Sequence, residues 1–311
     1  MKTATAPMPP TAHALPGGRL RRVWPAAVAL VATAAVVTGC TATAAEPTNL
    51  PEKNIAEWVT PLDQYIPQNA SNANYAEQLL VGKCIEKAGL SWAVPWRDIH
   101  ADNGPSWNSV ERRLFNSDLA AKYGYHNGPA VDESLPAWQA FVASKQSMSS
   151  AEEAAIGKCV PEARKTLPLL SPTAAQKALD LIQVSYDAAF QDDDVVAAAS
   201  KWRTCMEPQG IADLPDSPRK MPSDSLVSRF SLDLGDRVGT TSVDPKEVAI
   251  ATADAACRDS SGFAKALYDA EWDRDVAALR DNADELARAE KEIKANETAV
   301  LDVISSNAPA K

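Results

Sequence analysis

No stretch of this chain stays apolar for the roughly 20 residues that a membrane-spanning helix needs; the longest, Val23 to Val37, runs for about 15. There is no run of alternating apolar and polar residues, which argues against a sheet-based fold. No cluster of Lys and Arg follows Arg22, so a nucleic acid or an anionic headgroup would meet no concentrated positive surface. The GxSxG, HExxH, phosphate-loop and dinucleotide patterns are absent, and with them the usual sequence signs of a hydrolase, a metalloprotease, an NTPase or a dehydrogenase. CxxC is absent too, and beyond the N-terminal segment the only histidines are His100 and His126, both far from the cysteines. A zinc site is therefore not expected. These gaps leave no catalytic residues, no metal and no cofactor to assign from the sequence.

The first 39 residues contain Lys2, Arg19, Arg21 and Arg22 and no acidic residue. A basic segment followed by an apolar stretch too short to span a bilayer reads as a secretory leader. The stretch ends in Val37-Thr38-Gly39-Cys40, which resembles the lipobox of bacterial lipoproteins. That resemblance implies diacylglycerol in thioether linkage on Cys40, cleavage just before it, and a chain held by its acyl chains on the extracytoplasmic face of the cell membrane. Residues 40–52 are small, polar and interrupted by Pro47 and Pro51, as a flexible tether would be.

Without residues 1–39, 27 basic residues stand against 41 acidic ones, a formal net charge of about −14. Four cysteines remain after Cys40: Cys84, Cys159, Cys205 and Cys257. An even number in an exported chain argues for disulfides.

The chain repeats itself. Val81-Gly82-Lys83-Cys84-Ile85-Glu86, with Gly89 five residues after the cysteine, is matched by Trp202-Arg203-Thr204-Cys205-Met206-Glu207 with Gly210. Each marks a helix ending at glycine. Each is followed by an Ala-rich helix carrying the second cysteine, Cys159 or Cys257. Ser150-x-x-Glu153 and Asp244-Pro245-x-Glu247 place the starts of those two helices. If each pair of elements is a unit, Cys84 joins Cys159 and Cys205 joins Cys257; the alternative crosses the units and makes one domain of them. The duplicated pattern resembles a group of lipoproteins from high-GC Gram-positive bacteria, and the resemblance bears on fold and address without implying a reaction.

The expected fold is all-α: two disulfide-tied helical modules, residues 53–160 and 172–311, joined by a linker at 161–171 and ending in a long heptad-patterned helix. Helices are expected near 74–88, 106–122, 150–160, 172–206, 245–260 and 263–304, with Asp192 to Asp194 as an N-cap and first-turn acids, and residues 208–244 as a surface connection. The seam Trp272, Val276, Leu279, Leu286, Ile293 and Val300 suits either the chain's own core or a partner helix. Trp92, Trp96, Trp107, Tyr125, His126 and Trp138 lie among prolines and glycines, a composition that serves as a small core or lines a groove for a sugar or peptide. Asp98, His100 and Asp102 have metal-ligand types, but no second cluster supports them. The functional expectation is a lipid-anchored envelope protein that binds another protein or a cell-wall component; the alternative is a hydrolase or transferase acting on cell-wall glycan, with acids and His126. A carrier of small apolar ligands would need a cavity between helices.

Overall fold

Side-chain caps set the helix starts. Ser171 accepts from the Ala174 N–H with Pro172 next in sequence, Asp192 accepts from the Asp194 N–H, and Asp244 accepts from the Lys246 N–H ahead of Pro245. Each cap satisfies a backbone donor that the first turn leaves open. The computed structural model describes residues 50–67, 70–101, 104–129, 132–232 and 242–311. The leader, Cys40, the tether as far as residue 49, and Asp102 lie outside the described residues.

Among the described residues there is no strand beyond two isolated bridges, and the helices are α1 (Ala70–Lys87), α2 (Ser117–Tyr123), α3 (Leu135–Ser144), α4 (Ser150–Thr166), α5 (Pro172–Ala189), α6 (Asp193–Met206), α7 (Asp224–Phe230), α8 (Pro245–Ser260), α9 (Phe263–Asp281) and α10 (Ala283–Asn307). The fold is all-α. Cys84 on α1 is bonded to Cys159 on α4, and Cys205 on α6 to Cys257 on α8, with Cα atoms 5.6 and 5.7 Å apart. Gly89 and Gly210 sit at φ +79° and +65°, the left-handed conformation that glycine adopts most readily after a helix. The repeated Cys-to-Gly spacing is thus a repeated helix ending.

The principal helix contacts follow the order α4, α1, α10, α5, α9, α6, α8, α2. One disulfide ties the first two members and the other ties α6 to α8. Tyr75, Ala76 and Leu79 of α1 bury against Val300, Val303 and Ile304 of α10; Leu62, Ala178, Leu279 and Leu286 form a central core; Ala120, Tyr125, Trp202, Met206 and Ala251 fill the far end. Packing therefore departs from chain order. Although α2 belongs to the first cysteine module in sequence, it lies on α8 of the second, and α1 is completed by α10. The pairing within modules was legible, but the boundary at 161–171 does not divide the packing. The described residues form one compact unit.

Several boundaries differ from expectation, each for a local reason. The capping box of α4 uses Ser149 and Glu152, one residue before the expected pair, because tandem Ser-Ser and Glu-Glu offer two registers. Pro161 does not end α4: Ala163 and Leu167 beyond it are buried, and that burial offsets a proline cost of about 3 kcal/mol. Residues 106–116 are not helical, since the Asn108 carboxamide accepts from the Val110 and Arg112 N–H groups and helix begins only after Asn116 caps Leu119. The 208–244 connection contains α7, and Leu226 and Leu232 enter the far-end core. Asn282 separates α9 from the long α10, its side chain turning back to the Ala278 carbonyl, a competition with the helix that Asn makes readily.

Candidate functional site

Two irregular straps cross α9. The first, residues 53–66, is held at Tyr268, whose hydroxyl accepts from the Asn54 N–H at 3.0 Å and donates to the Val59 carbonyl at 2.5 Å. The second, residues 104–116, folds back through a bridge between Trp107 and Arg113. Asn108 joins the two by donating to the Glu57 carbonyl at 2.9 Å. Each strap carries a non-glycine residue in the left-handed region, Trp58 at φ 49° and Glu111 at φ 59°. Such backbone costs on the order of 1–3 kcal/mol and persists where the surroundings impose it.

Here it holds a buried polar cluster. Glu271 and Asp275, one turn apart on α9, are fully buried, and Asp63 from the first strap is buried beside them. The Trp58 indole N–H donates to Glu271 Oε2 at 2.7 Å. Arg112 reaches Glu271 Oε1 at 3.2 Å and Asp63 Oδ1 at 3.1 Å, and its Nη1 donates to Thr60 Oγ1 at 3.4 Å. Thr60 in turn caps Asp63 through its N–H at 2.8 Å and its hydroxyl at 3.1 Å. Two of the three carboxyl groups, Asp63 and Glu271, thus share one guanidinium. At an effective dielectric of about 20, each pair at this distance attracts by about 5 kcal/mol, against a desolvation cost of several kcal/mol per ion. The third acid, Asp275, makes no ion-pair contact and feels Arg112 only at longer range.

The protonation behaviour follows. Burial pushes the Glu271 carboxyl up to about 7 despite Arg112 and the Trp58 indole. Burial pushes Asp275 up to about 6 against the hydroxyls of Ser185 and Thr60 and the charge of Arg112. Asp63 is raised by burial in the same way, with Arg112 and Thr60 opposing. Glu271 Oε1 and both Asp275 oxygens lack a well-aligned hydrogen bond.

A second buried network gives the contrast. Asp254 accepts from the Trp202 indole at 2.9 Å, the Tyr125 hydroxyl at 3.2 Å, and Arg258 Nε and Nη2 at 2.8 and 2.9 Å. Buried polar groups so well satisfied serve to specify packing, whereas unmet acceptors call for another explanation.

Two members of the first cluster, Arg112 and Glu271, reach the wall of a cleft of about 810 Å³ between the two straps, α5 and α9. Ile66, Val110, Phe115, Ile182, Tyr186, Phe263 and Leu267 line it together with Arg112, Arg113, Arg258 and Glu271. This volume is within the range of small-molecule sites. A neighbouring cleft of about 640 Å³, toward α1 and α10, shares Ile66, Val110 and Leu179 with it.

None of the six residues expected to form an aromatic surface lines either cleft. Trp92 is buried and donates to Gln78 Oε1 at 3.2 Å; Trp138 meets Tyr75 and Phe141 at centroid distances of 5.7 and 5.4 Å. Tyr125 is buried behind the cleft wall, stacked on Phe115 at a centroid distance of 5.7 Å. Trp96 lies under Lys311, and Trp107 is half-buried at the strap bridge. His126 Nδ1 is 3.0 Å from Glu247 Oε1, but both are buried and neither lines a described cleft. The aromatic surface is therefore divided among separate cores. The candidate interaction seam is likewise internal: Trp272, Leu279, Leu286 and Ile293 are buried and Val276 half-buried. Asp98 and exposed His100 gather no further ligands, and no metal-binding group occurs among the described residues.

Sequence reasoning did not find Arg112, Asp63, Glu271 and Asp275. The one available signal was two acids four apart on α9, each one residue before a seam position, Trp272 or Val276. Compared with family models, curated proteins and solved structures, the chain matches none.

Proposed function

We propose that the chain is a lipid-anchored protein of the cell envelope that acts by binding, holding a small ligand with an apolar body in the cleft between α5, α9 and the two straps. The observation that carries this reading is the cleft itself: largely apolar walls with a few polar groups among them, Arg112, Arg113, Arg258 and the buried Glu271. The lipobox-like Val37-Thr38-Gly39-Cys40 and the two disulfides support the address, since disulfides persist in oxidising compartments. The straps, rather than the aromatic segment, are the part that meets the ligand.

Native mass spectrometry of the chain isolated from its own envelope tests the binding. A small molecule should travel with the chain and be lost from Ala264→Trp, which fills the cleft; a chain that carries nothing, or a variant that keeps its cargo, overturns the reading. Cys40→Ser tests the anchor, with movement from the membrane fraction to the soluble fraction as the expected result and retention as the contrary one. A second reading, an envelope hydrolase, is favoured by one observation: a carboxyl group near pH 7 beside two others is suited to general acid work. Reducing ends released from cell-wall glycan by the unaltered chain and not by Glu271→Gln would support it.

A further inference from the structure

We propose that the two clefts beside α5 form one groove, which holds a single long alkyl chain with an uncharged head group. This rests on the binding reading above and adds the shape and charge class of the ligand. The smaller cleft, which that reading does not use, becomes part of the site.

The clefts meet at side chains from three elements: Ile66 at the end of the first strap, Val110 in the second strap and Leu179 on α5 line both. All three are aliphatic, and all remain partly or largely exposed. Ile55, 41% exposed, lines the larger cleft; Leu169, 67% exposed, lines the smaller; Leu179, 38% exposed, lines both. Water therefore wets large apolar side chains in each cleft and where they join, and a ligand that covers them gains by displacing it. A ligand confined to the larger cleft would leave Leu169 uncovered.

The junction decides what kind of ligand can cross. A peptide would set its N–H and C=O groups against the side chains of Ile66, Val110 and Leu179, which offer no hydrogen-bond partner, and the described residues present no sheet edge to pair with it. Methylene groups have no such requirement. The charges of the walls set the head group, because the cations are already engaged. Arg164 donates to Glu77 at 2.8 Å, Arg112 lies between Asp63 and Glu271, Arg258 donates to both Asp254 oxygens, and Arg113 donates to the Tyr125 carbonyl. A carboxylate or phosphate head would have to take one of them from its partner. Of the lining acids, Glu77 and Glu271 share those contacts, Glu297 is half-buried with its charge acting on Lys294, and Glu111, Asp180 and Asp259 are exposed to water, where an ammonium head gains little. Ser71, Asn74 and Ser109 of the smaller cleft are exposed and uncharged, and suit a hydroxyl or ether.

Calorimetric titration of the full-length chain carrying Cys40→Ser, which has no acyl chain at that position to compete, tests this with four probes below their micelle concentrations. They are the octyl and tetradecyl ethers of tri(ethylene glycol), tetradecanoate and tetradecyltrimethylammonium. At about fourfold per buried methylene, the longer chain should tighten binding of the tetradecyl ether by at least about a hundredfold over the octyl ether. Ala175→Trp, which fills the smaller cleft, should bring the tetradecyl ether close to the affinity of the octyl ether. Leu179→Glu, at an exposed position of the junction, should cost the tetradecyl ether far more than the octyl one, and it decides the matter should Ala175→Trp fail to fold. The proposal is overturned if the two ethers bind alike, if the long-chain advantage survives both variants, if either charged probe binds as tightly as the tetradecyl ether, or if none of the four binds. In each of those cases, cargo seen by native mass spectrometry and lost from Ala264→Trp would leave the binding reading standing.

Discussion

Replacing Glu271 by Gln should stabilise the protein at alkaline pH and have little effect in acid. The folded state holds this carboxyl group at about 7 against an ordinary value of 4.5. Between those values the folded chain binds the proton that the unfolded chain has released, so its stability is greatest below about pH 4.5 and falls as pH rises to about 7. At about 1.4 kcal/mol per unit over that interval, the ionised group costs about 3 kcal/mol by pH 8. Glutamine keeps the shape and the acceptor for the Trp58 indole, never ionises, and leaves Arg112 its partner Asp63. Urea unfolding at pH 5, 6, 7 and 8 should therefore show the parent losing stability across the series and the variant losing much less. The curves should separate by up to about 3 kcal/mol at pH 8, roughly 1 M in midpoint, and nearly meet at pH 5. A variant that is less stable than the parent at pH 8, or two parallel curves, would refute the argument that burial outweighs Arg112 at this carboxylate. Asp275→Asn should show the same sign with its window about one unit lower.

Other perturbations test the rest of the fold. Asp254→Ala strands Arg258, the Trp202 indole and the Tyr125 hydroxyl and should cost about 3–5 kcal/mol in urea unfolding; a loss under 1 kcal/mol would mean that the network is dispensable. Opening the Cys205–Cys257 bond with paired Ser substitutions frees a 52-residue loop and should cost about 4 kcal/mol on the chain-entropy estimate, read as a fall in Tm. Gly124→Ala places a Cβ 2.3 Å from Glu247 Oε1 at a residue with φ +57° and should destabilise by about 1–3 kcal/mol or more; calorimetry showing an unchanged Tm would contradict the close approach of the 124–126 turn to α8.

What the sequence made legible was local. Ser171-Pro172 and Asp244-Pro245 mark their helices because capping is decided within four residues, and the two Cys-to-Gly spacings mark helix ends for the same reason. The disulfide pairing was legible because the pattern occurs twice. Assembly was not: nothing around α2 says that it will pack on α8, and the Trp272-to-Val300 stripe has the same spacing whether its partner is this chain or another. The site was the least legible part. Glu271 and Asp275 look like ordinary surface acids until Arg112 and Asp63, more than a hundred residues away, are brought beside them by straps of no regular period. Trp58 and Glu111 would not be expected at positive φ from their residue types. The tryptophan-rich segment drew attention by composition, and composition does not distinguish a groove from several small cores.

The seating of α10 on α1 also bears on when this molecule can become itself. Tyr75 and Leu79, early in the described chain, find their cover in Val300, Val303 and Ile304 near its end, and contacts so far apart in sequence form late. A ribosome releasing these residues in order withholds the last piece of the first helix's core until all the helices between α1 and α10 have emerged. If the chain is exported, as proposed above, that order keeps the body unfinished during its passage. Final assembly is then left to the compartment in which both disulfides can close.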